Sequence, residues 1–482
     1  MTSAMGSEFG GSRQVLMLLN NPCINDSRVI KEAEALVGSG WKVTVLCRHD
    51  RNLPLVDVIN GVVYQRLEPL PRDLRSLIRR LRAYLPGKLR GLSSESLADG
   101  RSTTPIVRTV PTWKSPLDLL KALPDSITTR VLQSVWRTTA PVLRKSFQVL
   151  SYPLRSFYWL HESDEFRNIV YRHAVQLRPN VVHCHDLATL PAGVAISKAC
   201  GCKIVYDSHE LEMHRNAKYP EAIMRKRRKL EQIGISRADA VITVSESIAD
   251  HLRDDYRIRR PHVVMNAPDF DEHEHPTRTV RDDLRLSPDT PLAVYVGSVT
   301  VNRGLDYVVK ALNHYPELHF ATVGPRRPAT QAELHELAVK LRVDGRLHFV
   351  DPVPPSAVVG YISTSDVSVL PIQNVCLSYY YCMPNKLLES VFAGIPVAVA
   401  DLFEMRRFVE AFQCGLVMDE KSPNSIADAI ESIVKNRNRF IVCDKIRQQI
   451  NDKYSWTAQV HKLLLLYEGL FALQPPHSLA TR

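Results

Sequence analysis

Residues 381–401 read Tyr381-Cys-Met-Pro-Asn-Lys-Leu-Leu-Glu-Ser-Val-Phe-Ala-Gly-Ile-Pro-Val-Ala-Val-Ala-Asp401 and predict a helix followed by a buried strand. Pro384 suits a first helical turn, while Gly394 and Pro396 end the helix. One face of this helix is apolar and consists of Leu387, Leu388, Val391 and Phe392. The helix N-terminus opens on a loop, so its unbonded N–H groups and Lys386 can bind an anion such as a pyrophosphate.

The chain of 482 residues is long enough for two domains, and 45% apolar with 23% charged residues is typical of a globular protein. No run of 18 uncharged apolar residues predicts a membrane span. The nine cysteines are scattered without a Cys-x-x-Cys pair. We therefore expect a reduced, cytoplasmic protein without a zinc site.

Two segments alternate strands and helices as Rossmann-like domains do. The first opens with a strand at 15–19, a helix from Asp26 and a strand at 42–46, without a Gly-x-Gly-x-x-Gly fingerprint. The second opens with a strand at 292–296, followed by a loop that reads Gly297-Ser-Val-Thr-Val-Asn-Arg-Gly304.

Polar residues follow two further predicted strands of the first segment. They are His183, His185 and Asp186 after one strand, and His209 and Glu210 after the next. The carboxyl ends of parallel strands share one edge, where ligands bind, so these side chains are expected on one rim.

The 381–401 stretch, with its Glu389 and Gly-x-Pro-Val continuation, resembles the donor-binding helix of retaining glycosyltransferases of family 4. The Asp-x-Arg-Val-x-x-Glu run at 26–32 and the Asp-Val-x-Val-x-Pro strand at 366–371 are also similar to that family. The resemblance implies an α/β GT-B fold, in which two Rossmann-like domains face each other across a cleft. The expected boundaries are a tail at 1–12, an acceptor domain at 13–265, a donor domain at 266–452, and a returning C-terminal helix with a tail at 453–482.

The same resemblance implies a set of donor-binding residues. Glu389 takes the position that holds the ribose hydroxyls, and Arg303 with Gly304 takes the position of a phosphate-binding loop. Ser298 stands where the family usually has a cation, and Tyr381 stands where it has a first glutamate. The expected donor contacts are Ser298, Arg303, Gly304, Tyr381, Pro384, Asn385, Lys386, Leu387 and Glu389.

On the acceptor side, the resemblance places His185 beside the transferred sugar and His209 near the acceptor or the phosphates, so the catalytic candidates are His185, His209 and Asp186. We expect His183 to form a hydrogen bond inside its domain. A metal site formed by His183, His185 and His209 is an alternative by ligand type. The resemblance implies no bound metal and no cofactor, with a UDP-sugar favoured over a GDP-sugar as donor.

Residues 66–160 carry 17 Lys and Arg against 6 Asp and Glu, an excess of eleven that equals the whole net charge of +11. This segment is interpreted as an insertion in the first domain. Its basic amphipathic helix at 73–85 and its aromatic and basic residues at 144–159 suit an anionic membrane surface, such as the inner face of the cell membrane. A helical excursion packed on its own domain is an equal alternative. No nucleic-acid partner is expected, because no binding motif accompanies the charge.

The predicted function is sugar transfer, with retention, from a nucleotide sugar to a hydroxyl of a glycan or glycolipid, such as a lipid-linked or surface polysaccharide precursor. Two alternatives stay open, since Tyr381 and Ser298 depart from the family pattern. One is a GT-B scaffold protein without transfer activity. The other is a nucleotide-sugar epimerase that recruits His185, His209 and Glu210.

Overall fold

The computed structural model describes residues 13–24, 26–68, 165–217, 219–268 and 276–472. The predicted tail at 1–12 and all but the first three residues of the predicted insertion at 66–160 lie outside these ranges. Among the helices of the described residues, none is both long enough and apolar enough to cross a membrane. Two parallel sheets with helices between their strands make up the described chain.

The first sheet has eight strands in the order β3-β4-β2-β1-β5-β6-β7-β8. All its pairings are parallel except that of β3 with β4. The strands are β1 Gln14–Leu18, β2 Lys42–Arg48, β3 Val56–Ile59, β4 Val62–Leu67, β5 Val181–His185, β6 Lys203–Ser208, β7 Ala240–Thr243 and β8 His262–Val263. Strand order reverses between β1 and β5, so the carboxyl ends of these two strands form the switch point at which such sheets bind ligands.

The second sheet has six parallel strands in the order β11-β10-β9-β12-β13-β14. They are β9 Leu292–Val296, β10 His319–Val323, β11 Leu347–Val350, β12 Val367–Leu370, β13 Val397–Ala400 and β14 Gly415–Met418. In chain order this is the 3-2-1-4-5-6 arrangement of a Rossmann domain, and its switch point lies between β9 and β12. The loops after these two strands are therefore expected to form its binding site.

Helices cover both faces of each sheet. In the first domain they are α1 Ser27–Gly38, α2 at 165–177, α3 Leu190–Cys200, α4 Glu221–Ile235 and α5 Glu246–Tyr256. In the second they are α6 Val280–Leu284, α7 Leu305–Ala311, α8 Pro328–Leu341, α9 Val358–Ile362, α10 Leu377–Tyr380, α11 Asn385–Phe392, α12 Phe403–Phe412, α13 Pro423–Lys435, α14 Arg437–Phe440, α15 Asp444–Tyr454 and α16 Trp456–Gly469.

The last helix, α16, packs on the first sheet although it follows the second domain in sequence. Its Leu463 and Tyr467 are fully buried and share a core with Val15 and Met17 of β1. The amide of Met265, after β8, donates to Oε1 of Gln459 on this helix at 3.0 Å. Helix α16 is thus fixed both to the first sheet and to the segment that leaves it.

Candidate functional site

A buried arginine organises the switch point of the first sheet. Arg28 of α1 donates from Nε and Nη2 to the two carboxylate oxygens of Asp207, each at 2.8 Å, and from Nη1 to the carbonyl of Val264 at 2.7 Å. Glu32, one turn further along α1, lies 3.1 Å from the same guanidinium. These side chains are almost completely buried. A buried charge is costly unless an opposite charge lies beside it, so each side chain depends on its partners.

Two stacked histidines lie beside this ion pair. His183 and His185 of β5 are buried, with ring centroids 4.3 Å apart. Nδ1 of His183 is 2.9 Å from the hydroxyl of Tyr467 on α16, so the expected internal hydrogen bond of His183 is present. Its partner comes from the C-terminal helix, which the sequence did not indicate.

His209 completes the cluster at the edge nearest to solvent. Its Nε2 is 3.1 Å from Oδ2 of Asp207 and 3.2 Å from Nδ1 of His185. Its Nδ1 is 3.6 Å from Oδ2 of Asp186, which follows β5. The predicted catalytic candidates His185, His209 and Asp186 therefore lie together, as the strand-end argument expected.

Burial and neighbouring charges both shift the pKa values of the cluster. Burial alone would lower the pKa of His209, but the carboxylates of Asp186 and Asp207 raise it to about 9. Burial would raise the pKa of Asp207, but Arg28 and His209 hold it well below its usual value. Burial and the neighbouring His185 lower the pKa of His183. An imidazolium at His209 next to a neutral His183 follows from these directions.

Four donor atoms of Glu32, His183, His185 and Asp207 lie within 4.8 Å of one another, a spacing that a metal ion could use. However, both oxygens of Asp207 already accept hydrogen bonds from Arg28. A divalent cation would have to displace this guanidinium or lie beside its positive charge. The arrangement therefore fits an ion-pair network better than a metal centre.

The switch point of the second sheet places Lys386 beside the loop after β9. The ammonium of Lys386 lies 5.2 Å from the ring centre of Tyr295. A Cβ at Gly297 would lie 3.3 Å from both Cε and Nζ of Lys386, so the absence of a side chain there gives the lysine its present position. Lys386 is in the first turn of α11, where its charge adds to that of the free helix amides.

Arg303 reaches the same region from the end of that loop. Its guanidinium carbon is 5.3 Å from the ring centre of Tyr379. Gly304, the next residue, has φ +70° and precedes α7; a Cβ there would lie 2.1 Å from the carbonyl oxygen of Pro371. The tight turn at Gly304 thus fixes where Arg303 leaves the backbone.

Helix α11 begins at Asn385, with Pro384 immediately before it, and no side chain caps its N-terminus. Glu389, one turn further in, is partly buried, and no hydrogen bond joins its carboxylate to the described residues. Burial raises the pKa of Glu389, while the charges of Lys386 and Lys31 oppose that rise. Because Lys31 belongs to α1, Glu389 faces the first domain.

The surroundings of three other predicted donor contacts, Leu387, Tyr381 and Ser298, differ from one another. Leu387 is buried in the core and its amide bonds the carbonyl of Pro384. Tyr381 packs against Phe403 and His251, and its carbonyl accepts from Oγ of Ser245 at 2.7 Å. Ser298 is exposed.

Cys382 links the two sides of the site electrostatically. Burial raises the pKa of its thiol to about 12, and the charges of Lys386, Arg303 and Glu210 all act on it. The first two belong to the second domain, and Glu210 follows His209 in the first. Contact geometry agrees, because the amide of Leu211, the residue after Glu210, donates to Oγ of Ser378 at 3.3 Å.

Comparison with known proteins agrees with this geometry. The model of the family "Glycosyl transferases group 1" matches residues 276–453, and that of "Glycosyltransferase Family 4" matches residues 101–272. The chain belongs to the family 4-like glycosyltransferases. The first match covers the described donor-side residues, and the second covers the histidine rim together with part of the segment outside the described residues.

Among curated relatives, this glycosyltransferase is 22% identical over 305 residues to an uncharacterised glycosyltransferase of Methanocaldococcus jannaschii, covering 60% of this chain and 77% of the relative. It is 22% identical over 312 residues to the D-inositol 3-phosphate glycosyltransferase of Corynebacterium glutamicum, covering 61% and 73%.

Among solved structures, the glycosyltransferase matches sucrose-phosphate synthase from Thermosynechococcus elongatus with a TM-score of 0.65 at 17% identity, covering 96% of this chain and 100% of that one. It matches Anabaena HepE in complex with UDP with a TM-score of 0.60 at 11% identity, covering 95% and 100%. The predicted fold of two parallel α/β domains of GT-B type is confirmed by this likeness and by the two sheets.

Sequence reasoning missed several residues of the cluster in this glycosyltransferase. They are Arg28, Glu32, Asp207 and Tyr467. One signal was available: Arg28 and Glu32 lie on the same helical face as Val29, Ala33 and Leu36, all of which are buried. Two opposite charges on an otherwise apolar face indicate a buried ion pair, because neither charge could be buried alone.

Proposed function

We propose that this glycosyltransferase transfers a sugar from a nucleoside diphosphate sugar to a hydroxyl group, with retention and without a metal ion. The observation that carries the proposal is the position of Lys386 in the uncapped first turn of α11, with Arg303 beside Tyr379 on the segment that leads into this helix. Two cations and free amides at one place match the charge of a diphosphate.

The departing diphosphate gains negative charge as its bond to the anomeric carbon breaks. Cations that are already in position stabilise this charge without reorganising, which favours the transition state over the ground state. Lys386 and Arg303 supply this stabilisation in the proposal. Two cations held by the chain also make a divalent ion unnecessary for this step.

In the proposed reaction, the acceptor oxygen bonds the anomeric carbon on the face that the diphosphate leaves, and the acceptor proton passes to the departing phosphate oxygen. Asp207 is not available as a nucleophile, because Arg28 bonds both of its oxygens. His185 lies beside the sugar, and Asp186 anchors His209 at 3.6 Å. Glu389 binds the ribose hydroxyls in this proposal.

The proposed donor is a UDP-sugar, whose base is uracil. Support comes from Anabaena HepE, whose structures contain UDP or UDP-glucose, and from a trehalose-6-phosphate protein of E. coli bound with UDP-2-fluoro glucose. The proposed acceptor is a glycolipid or a lipid-linked or surface polysaccharide precursor. This part rests on the basic segment 66–160, whose charge suits an anionic membrane.

Donor turnover tests the proposal. The full chain is incubated with UDP-sugars and membrane-derived acceptors, and free UDP and the anomeric configuration of the product are measured. The proposal predicts UDP release that requires an acceptor, a retained configuration and no loss of activity with a chelator. A changed sugar without acceptor would identify an epimerase, and neither UDP release nor a changed sugar would identify a scaffold. Loss of activity with the chelator would contradict metal independence.

Binding to lipid vesicles tests the membrane part separately. The full chain is expected to sediment with anionic vesicles at low salt and to be released by high salt, because the attraction is electrostatic. Equal sedimentation with neutral and anionic vesicles, or none with either, would contradict a charge-driven membrane contact.

A further inference from the structure

A continuous series of polar contacts runs from α1 to the histidine rim. Arg28 holds both oxygens of Asp207 at 2.8 Å. Oδ2 of Asp207 is 3.1 Å from Nε2 of His209, and the same nitrogen is 3.2 Å from Nδ1 of His185. A side chain of α1 that is itself remote from solvent is thereby connected to the histidine that the proposed function places beside the sugar.

His209 lies between two carboxylates, one at each ring nitrogen. Asp207 faces Nε2 and Asp186 faces Nδ1. Of the other charged or titratable groups around it, Arg28 and Glu32 come from α1, His183 and His185 from β5, and Glu210 is the next residue in sequence.

Two carboxylates favour the doubly protonated ring, in which both nitrogens donate. Arg28 opposes this state electrostatically, but it also keeps Asp207 ionised, and the two carboxylates together raise the pKa of His209 to about 9. Burial raises the pKa of Glu32, while the charge of Arg28 opposes that rise.

Nδ1 of His185 lies near both His209 and Asp207. Nε2 of His209 is 3.2 Å from this nitrogen. Oδ2 of Asp207 is 3.4 Å from it, so the oxygen that faces His209 faces His185 as well. Nε2 of His185 is buried and has no hydrogen-bond partner among the described residues. It is therefore free to bond a substrate group.

We infer that Arg28 and Asp207 are positioning residues for glycosyl transfer. Arg28 fixes the Asp207 carboxylate, Asp207 keeps His209 as an imidazolium and orients His185, and Nε2 of His185 stays free for the substrate. Neither Arg28 nor Asp207 contacts the substrates in this arrangement. The inference rests on the proposed function for the role of His185, but the protonation states can be measured without any reaction.

The first experiment is a long-range proton–nitrogen NMR spectrum of the full chain labelled with ¹⁵N-histidine. His185→Gln and His209→Gln identify the two rings. The expected result is a doubly protonated His209 at pH 7.5 that titrates near pH 9. A His209 that titrates near 6.5 would overturn the inference even if the protein proves to be a glycosyltransferase.

The second experiment measures kcat against pH for the wild type and for Asp207→Asn. Loss of one carboxylate lowers the pKa of His209, so the decline of kcat at high pH should move to lower pH by about one unit or more. Asp428→Asn, at an exposed position on α13, is the matched control and should keep the wild-type profile. An unchanged profile in Asp207→Asn would overturn the role of Asp207.

Arg28 is tested by a pair of substitutions, since either variant could fail to fold. Arg28→Lys keeps the charge but loses the two-point contact with Asp207, and Arg28→Gln loses both. Circular dichroism confirms folding before kinetics. In folded Arg28→Lys, the pKa of His209 should lie between its wild-type value and its value in Arg28→Gln. A wild-type pKa of His209 in both variants would overturn the role of Arg28. If the wild type catalyses no transfer but shows the expected histidine titration, only the proposed function fails.

Discussion

The guanidinium of Arg28 and the carboxylate of Asp207 form a two-point ion pair, with both N–O distances 2.8 Å, although the residues are 179 positions apart. One residue comes from the first helix and the other from the end of β6, two strands beyond the switch point. The pair therefore depends on correct folding of the first sheet, and it joins the helix to the strand ends that carry the candidate catalytic residues.

Tyr467→Phe should lower the free energy of unfolding by about 1–3 kcal/mol, because it leaves Nδ1 of buried His183 without its partner at 2.9 Å. Chemical denaturation measures this change. Tyr171→Phe, at an exposed position, is the control and should change stability by less than about 0.5 kcal/mol. Equal stability of Tyr467→Phe and the wild type would show that the helix α16 contact contributes nothing.

Gly304→Ala should destabilise the fold by about 3 kcal/mol. The residue has φ +70°, and its new Cβ would lie 2.1 Å from a backbone oxygen of Pro371, which cannot move aside cheaply. Gly345→Ala is the matched control, since a Cβ there meets nothing within 4 Å. Urea unfolding of both variants separates the effect of a crowded turn from that of adding a methyl group, and similar midpoints would contradict the expectation.

Glu389→Gln should weaken UDP binding by about tenfold or more, because a hydrogen bond to a charged group is worth about 1.5–3 kcal/mol. The loss should be smaller for 2′,3′-dideoxy-UDP, which lacks the ribose hydroxyls that the carboxylate is proposed to bind. Calorimetric titration of both nucleotides measures this difference, with exposed Glu333→Gln as the control. An equal loss for both nucleotides would place Glu389 away from the ribose.

His209 should make the stability of the protein depend on pH. Its pKa in the folded state is about 9, above the unfolded value near 6.5, so its contribution is complete below pH 6.5 and is lost as pH rises through 9. The difference in unfolding free energy between wild type and His209→Gln should therefore shrink by on the order of 3 kcal/mol over this range. A difference that stays constant from pH 6 to 10 would contradict a raised pKa.

The alternation of apolar strands and helices was enough to predict both domains, because buried parallel strands leave a strong sequence signal. The meeting of His185 and His209 could also be predicted, since neighbouring parallel strands end at one edge. The Arg28–Asp207 pair could not, because its partners are distant in sequence and each alone is an unexplained charge in an apolar pattern.

The surroundings of Leu387 and Tyr381 could not be predicted from the sequence. Their roles as donor contacts stay predictions from the family resemblance. Leu387 turns its side chain into the core and bonds its amide to Pro384, and Tyr381 packs against Phe403 and His251. These contacts depend on the path of the backbone after Tyr379. Helical periodicity in the sequence does not define that path.

Calorimetric titration of the full chain with UDP, before and after removal of the two cations, tests the donor site most directly. The wild type should bind UDP at one site, and Lys386→Ala and Arg303→Ala should each weaken binding by about tenfold or more. Lys310→Ala, whose ammonium pairs with Asp306 on α7 at 2.9 Å, should bind UDP as the wild type does. Wild-type affinity in both Lys386→Ala and Arg303→Ala would contradict a diphosphate site between them.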